Sequence, residues 1–244
     1  MIMKSRFRYI VLLTLLLVGT LALVIQPPSS DNNELVILAH GLARSDTAMW
    51  LMKKRLKQSG YEVCTIDYET VGIDVIDLLS ESSAQIETCL KNKKTHFVGH
   101  SLGGLVIKNY LSSSDNLQKI ADLGEVVFVG TPNKGSDFAD ALKDHYAMSM
   151  GGEIGPALMT GPGTLGNQIG TILVPAGVIA GSKGYKVTEK YFDQPNDGLV
   201  SVASTRLTNM KDFIVLEVSH SAMRYDKQVI EQVLNYLDQG HFKH

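Results

Sequence analysis

Ser101 stands among small residues, in Gly99-His100-Ser101-Leu102-Gly103-Gly104, and that spacing is the feature of this 244-residue chain best suited to chemistry. A serine hydroxyl is a weak nucleophile near neutral pH. It becomes useful when a neutral imidazole takes its proton and a carboxylate fixes the imidazole's tautomer. The pattern Gly99-x-Ser101-x-Gly103 is what a tight strand-to-helix turn requires, because side chains beside the serine would block the turn. Of the seven histidines, His220 follows an apolar run in Glu217-Val218-Ser219-His220-Ser221 and is the expected base. His40 and His100 flank glycines and suit backbone roles. His96 opens a strand at the far end, His145 lies in a glycine-rich stretch, and His241 and His244 lie in the tail. The expected acid is Asp197, in Asn196-Asp197-Gly198-Leu199-Val200, with Asp193 a rival in the same loop; Glu217 precedes the histidine within its own strand and is a poorer choice. A tetrahedral intermediate also needs two donors aimed at its oxyanion. The N–H of Leu102, at a helix start, supplies one, and that of Leu42, after His40-Gly41, supplies the other.

These residues need elements to carry them. Leu35 to Ala39, Tyr61 to Ile66, the run before Gly99, Val126 to Val129, Gly177 to Ala180 and Phe213 to Val218 read as six strands, several of them continuously apolar, as expected when both sheet faces are covered. Between them lie helical periods: Met49, Met52 and Leu56, stopped by Gly60; Val75, Leu79, Ile86 and Leu90; Leu105, Val106 and Leu111; and finally Ile230, Val233, Leu234 and Leu237. This alternation predicts an α/β fold with a mostly parallel sheet, helices on both faces, and ligands at the carboxyl ends of the strands. Asp137 to Gly170 breaks the pattern. A short helical signal at Phe138, Ala139 and Leu142 gives way to seven glycines, which predicts an irregular small cap over the site, with Phe138, Leu142, Tyr146, Met148 and Met150 lining a shallow cleft.

A hydrophobic content of 44% and a formal net charge of -2 suit one catalytic domain and give no reason to expect nucleic acid as a partner. The basic run Lys53-Lys54-Arg55-x-Lys57 reads as a solvated helix face. Residues 1–26 are set apart: Lys4, Arg6 and Arg8 precede an uncharged stretch from Tyr9 to Ile25, which is followed by a polar linker over 27–33. Seventeen residues at ~1.5 Å rise just cross a bilayer core of ~30 Å. An uncleaved anchor, with its N-terminus cytoplasmic and the domain of 34–244 outside, is favoured over a signal cleaved near Thr20-Leu21-Ala22, because the apolar run continues past that point. Two cysteines, Cys64 and Cys89, are too few for a disulfide framework or a zinc site. They read either as buried thiols or as a bridge between a strand and the helix after it. No cofactor or metal is expected.

His40-Gly41-Leu42, the Gly99 to Gly104 stretch, Gly130-Thr131-Pro132-Asn133-Lys134-Gly135-Ser136, Asn196-Asp197-Gly198-Leu199-Val200 and His220 resemble, in order, the motifs of bacterial lipases and esterases of the α/β-hydrolase family. The resemblance runs from Glu34 to about Leu237. It implies a minimal six-stranded α/β-hydrolase that cleaves an ester or lipid substrate through an acyl-enzyme. Ser101 would be the nucleophile, Asp197 the acid, His220 the base, and Leu42 and Leu102 the oxyanion donors. Acyl transfer or thioester cleavage on the same residues is the near alternative, and a non-catalytic binding protein on this fold the distant one. No large helical lid is evident, and the acidic residues that hold calcium in some larger lipases are not recognisable after His220.

Overall fold

Leu35–Ala39 (β1) is buried at every position, the signature of a strand covered on both faces. It sits inside a six-stranded sheet of order β2-β1-β3-β4-β5-β6 in which every pairing is parallel. The other strands are β2 (Glu62–Ile66), β3 (Lys94–His100), β4 (Asp122–Val129), β5 (Ala176–Gly181) and β6 (Met210–Leu216). The computed structural model describes residues 34–144 and 152–244. The apolar stretch from Tyr9 to Ile25, the linker, His145, Tyr146, Met148 and Met150 lie outside them. Among the described residues no helix is long and apolar enough to cross a membrane.

Parallel neighbours need crossovers, and the main helices, three within crossovers and one after β6, lay apolar stripes on the two faces of the sheet, while β5 and β6 are joined without an α-helix. On one face, α1 (Trp50–Gln58) buries Met52 and Leu56, and α8 (Lys227–Gln239) buries Val229, Val233 and Tyr236, against Val36, Leu38, Val98 and Ile179. On the other, α2 (Val75–Cys89) buries Leu78 and Ile86, and α3 (Leu102–Leu111) buries Leu105 and Tyr110, against Ile37, Phe97, Phe128 and Val178. Each such side chain, fully buried, is worth ~1.5–3 kcal/mol. A short α4 (Ser114–Gln118), which the apolar periodicity did not signal, leads into β4. Of the two readings of the cysteines, the bridge is the one present: Cys64 on β2 and Cys89 at the end of α2 are disulfide-bonded, with Cα atoms 5.9 Å apart.

The segment after β4 differs from expectation. Its first part forms α5 (Asp137–Ala141), capped by the Ser136 hydroxyl, which accepts from Ala139 N. The glycine-rich part is not a loose connection: it holds α6 (Ile154–Ala157) and α7 (Leu165–Gln168), and it buries Ile154, Leu158, Leu165 and Ile169 in the core. Those four stand as two i, i+4 pairs, a helical spacing hidden among the glycines. Gly166 shows why small residues are needed, since a Cβ there would lie 2.4 Å from the Asn133 carbonyl oxygen. Lys108 of α3, itself buried, donates to the Gly166 carbonyl at 2.6 Å and ties α7 down.

Candidate active site

Register brings the carboxyl ends of the central strands level, Ala39 opposite Gly99 and His100 opposite Val129, and the chemistry collects there. Ser101 leaves β3 with φ 57° and ψ −126°, a strained conformation for a side-chain-bearing residue, and immediately starts α3. Its N–H is held by the Val129 carbonyl at 2.9 Å. The glycines around it answer to close approach: a Cβ at Gly103 would lie 2.5 Å from the Ala39 carbonyl oxygen, and one at Gly104 only 1.9 Å from Thr131 Oγ1.

The structure brings Ser101, His220 and Asp197 together. Ser101 Oγ lies 2.9 Å from His220 Nε2, and His220 Nδ1 lies 2.7 Å from Asp197 Oδ2. With the hydroxyl donating to Nε2, the ring proton sits on Nδ1 and is donated to the carboxylate. Asp197 has no exposed surface, so its charge must be met from within. Its Oδ1 accepts from Leu199 N at 3.0 Å and Val200 N at 2.8 Å, and the Asp197 carbonyl accepts from His220 N at 2.9 Å, which ties the two loops together. Asp193 and Glu217 are both exposed.

Two supports carried no strong sequence signal. His100 donates from Nε2 to the His220 carbonyl at 3.0 Å, and burial, helped by the nearby His220, pushes its pKa well below the ordinary histidine value and keeps it neutral. Tyr185 accepts a bond from Ser221 N at 3.2 Å, while its ring covers Gly198, where a Cβ would be 2.2 Å from Tyr185 Cδ2. The histidines assigned elsewhere are elsewhere: His96 pairs with Glu34 at 3.1 Å at the opposite sheet edge, and His244 meets Asp212 at 3.0 Å.

Gly41 brings the loop after β1 against the serine, where a Cβ would be 3.0 Å from Ser101 Cβ. His40 is fixed behind it, its carbonyl accepting from the Tyr68 hydroxyl at 2.5 Å and its ring stacked on Tyr68. Leu42 borders the same cavity as Ser101. Leu102 is the first residue of α3, where a backbone N–H has no acceptor within the helix. The cavity, about 250 Å³, is floored by Leu42, Phe138, Leu142, Leu158, Leu199 and Val200. Among the described residues no cluster of three or more His, Cys, Asp or Glu could hold a metal ion.

The model of a family described as "Putative serine esterase" matches residues 29–133, which contain β1, the His40-Gly41-Leu42 loop and Ser101. Among solved structures, the chain is similar to the mature form of the lipase BlEst2 of Bacillus licheniformis, at 19% identity over 84% of this chain and 89% of that one, with a TM-score of 0.62. It is similar to the metagenomic carboxyl esterase MGS0156 at 18% identity over 80% and 66% of the two chains, TM-score 0.60. A third similar structure, tomato methylketone synthase I with 2-tridecanone, is 13% identical over 86% and 99%, TM-score 0.53. Identities this low speak to the shared fold. No curated protein matches the chain.

Proposed function

We propose that this chain, an α/β-hydrolase in fold, is a carboxylic ester hydrolase of the esterase and lipase type that works through an acyl-enzyme formed on Ser101. The observation that carries the reading is the unbroken run of hydrogen bonds from Ser101 Oγ through His220 to Asp197, 2.9 and 2.7 Å long. As Oγ attacks the ester carbonyl carbon, its proton passes to His220 Nε2, and Asp197 stabilises the resulting imidazolium. Charge develops on the carbonyl oxygen, which Leu42 and Leu102 N–H receive. Collapse expels the alcohol with the proton from His220 and leaves the acyl group on Ser101. Water, deprotonated by the same nitrogen, then attacks the acyl carbon and releases the carboxylic acid. A fluorophosphonate should label wild-type protein at Ser101, and Ser101→Ala should lose both labelling and ester hydrolysis while keeping its melting temperature. Labelling that survives the substitution would place the nucleophile elsewhere.

The cavity of about 250 Å³ lies under the ~300–1,000 Å³ of pockets that enclose drug-sized ligands, so short and medium acyl chains are the expected substrates. Each further methylene adds ~0.8 kcal/mol only while the pocket encloses it, and preference should rise with chain length and then level off. Rates on esters of increasing length, below and above their solubility limits, test this; a jump at the limit with the longest chains cleaved best would sink it.

We further propose that the domain lies outside the cytoplasm, tethered by Tyr9 to Ile25. The Cys64–Cys89 bridge supports an oxidising compartment. Fractionation of full-length and Pro27-truncated chains checks the tether, and mature chains beginning near Leu23 would show a cleaved signal instead.

A further inference from the structure

Two arginines share the cavity with Ser101. Arg44 lies two residues beyond Leu42 in the loop after β1, and Arg224 ends the short turn Ala222–Arg224, four residues after His220. Each is steadied by one bond to its own loop: Arg44 Nη1 donates to the Ala43 carbonyl at 2.8 Å, and Arg224 Nε to the Ser221 carbonyl at 3.1 Å. Among the described residues neither guanidinium has a carboxylate within ion-pair distance. The cavity lining contains no Asp or Glu, and residues 145–151 carry no acidic side chain. Acids do face Arg44 on its other side, since Asp67, Glu69 and Glu81 line a neighbouring cavity that shares Ala43 and Arg44; Arg224 lines no part of that cavity. Arg224 is half-buried, and burial together with the charge of Arg44 disfavours its own positive charge. Holding two like charges at one apolar-floored cavity is unfavourable until an anion joins them.

We propose that Arg44 and Arg224 form an anion subsite, so that the preferred ester carries a phosphate or carboxylate on its alcohol side while its acyl chain lies on the apolar floor. The side follows from the proposed chemistry: the alcohol departs with the proton of His220, and Arg224 belongs to the turn that His220 begins. A planar guanidinium binds either oxyacid in bidentate fashion, and two of them select for charge rather than for one particular anion.

The inference rests on the hydrolase reading above, so its test is built around binding as well as turnover. Three hexanoyl esters serve as probes: neutral 1-hexanoylglycerol, hexanoyl glycerol 3-phosphate and hexanoyl glycolate. Calorimetry on Ser101→Ala protein should show the anionic esters bound roughly tenfold or more tighter than the neutral one, with the gap narrowing as salt is added. The relative affinity of phosphate and carboxylate esters identifies which oxyacid the subsite favours. In wild-type protein the gain should appear in KM more than in kcat. Arg224→Gln and Arg44→Gln should each shrink the anionic-to-neutral ratio, whereas Lys57→Gln, the same change of charge on exposed α1, should leave it intact. Arg44 is exposed, so its variant keeps the test valid should Arg224→Gln melt early. Equal binding of neutral and anionic esters, or a ratio unchanged in both arginine variants, overturns the subsite. Tighter anionic binding without hydrolysis of any probe by wild-type protein would uphold the subsite and overturn the hydrolase reading.

Discussion

Asn in place of Asp197 keeps the size of the side chain but offers His220 an amide that can donate, and so favours the imidazole tautomer whose Nε2 carries the proton. Turnover by Asp197→Asn should fall by about 10⁴, with KM little changed. Asp193→Asn, on an exposed side chain of the same loop, should leave turnover within twofold, and steady-state kinetics on one soluble ester compare the two. The positions of Ser101 and His220 beside one another were legible because the proposed roles impose local patterns, glycines about a serine and a histidine just past an apolar run. Asp197 could be separated from Asp193 in the sequence only by its turn. The structure separates them by burial and by the two backbone N–H groups that hold the Asp197 carboxylate. Tyr185 and Arg224 were not singled out, because what each does depends on a neighbour supplied by folding: Ser221 and Gly198 for the one, Arg44 and the cavity for the other.

The elbow works as an element because β1, β3 and α3 approach more closely than side chains permit. Gly103→Ala would drive a Cβ to 2.5 Å from the Ala39 carbonyl oxygen, a backbone atom that cannot step aside. The expected cost is about 1–3 kcal/mol of stability, with loss of activity as Ser101 shifts, read by urea unfolding and kinetics. Gly163→Ala, where nothing lies within 4 Å, should be tolerated on both counts. Strands and main helices were legible because covered strands are apolar throughout and helices repeat every three to four residues. The glycine-rich half of the segment after β4 was not, since its two apolar pairs are too short to show a period and its packing depends on contact with the 130–136 loop. Lys108 has no pattern at all. Its single bond to Gly166 places it, and Lys108→Met should raise hydrogen exchange across 154–169 while leaving β3 protected.

Across the whole molecule, the Cys64–Cys89 bridge closes a loop of 25 residues at the β2 edge, and replacing both cysteines by serine should cost about 3 kcal/mol, measured by denaturant unfolding without reductant. The all-parallel sheet has a further consequence, for the time course of folding. Among the described strands no two can zip together as a hairpin; each pairing must wait for a distant part of the chain, and such topologies fold slowly. The elbow forms from β3 and α3, early in the chain, but Asp197 and His220 arrive only when the loops around β6 have docked on β5. An incompletely folded chain therefore carries Ser101 without His220 beside it. Refolding followed by fluorophosphonate labelling should show reactivity returning with the last structural phase and not with the recovery of helix signal.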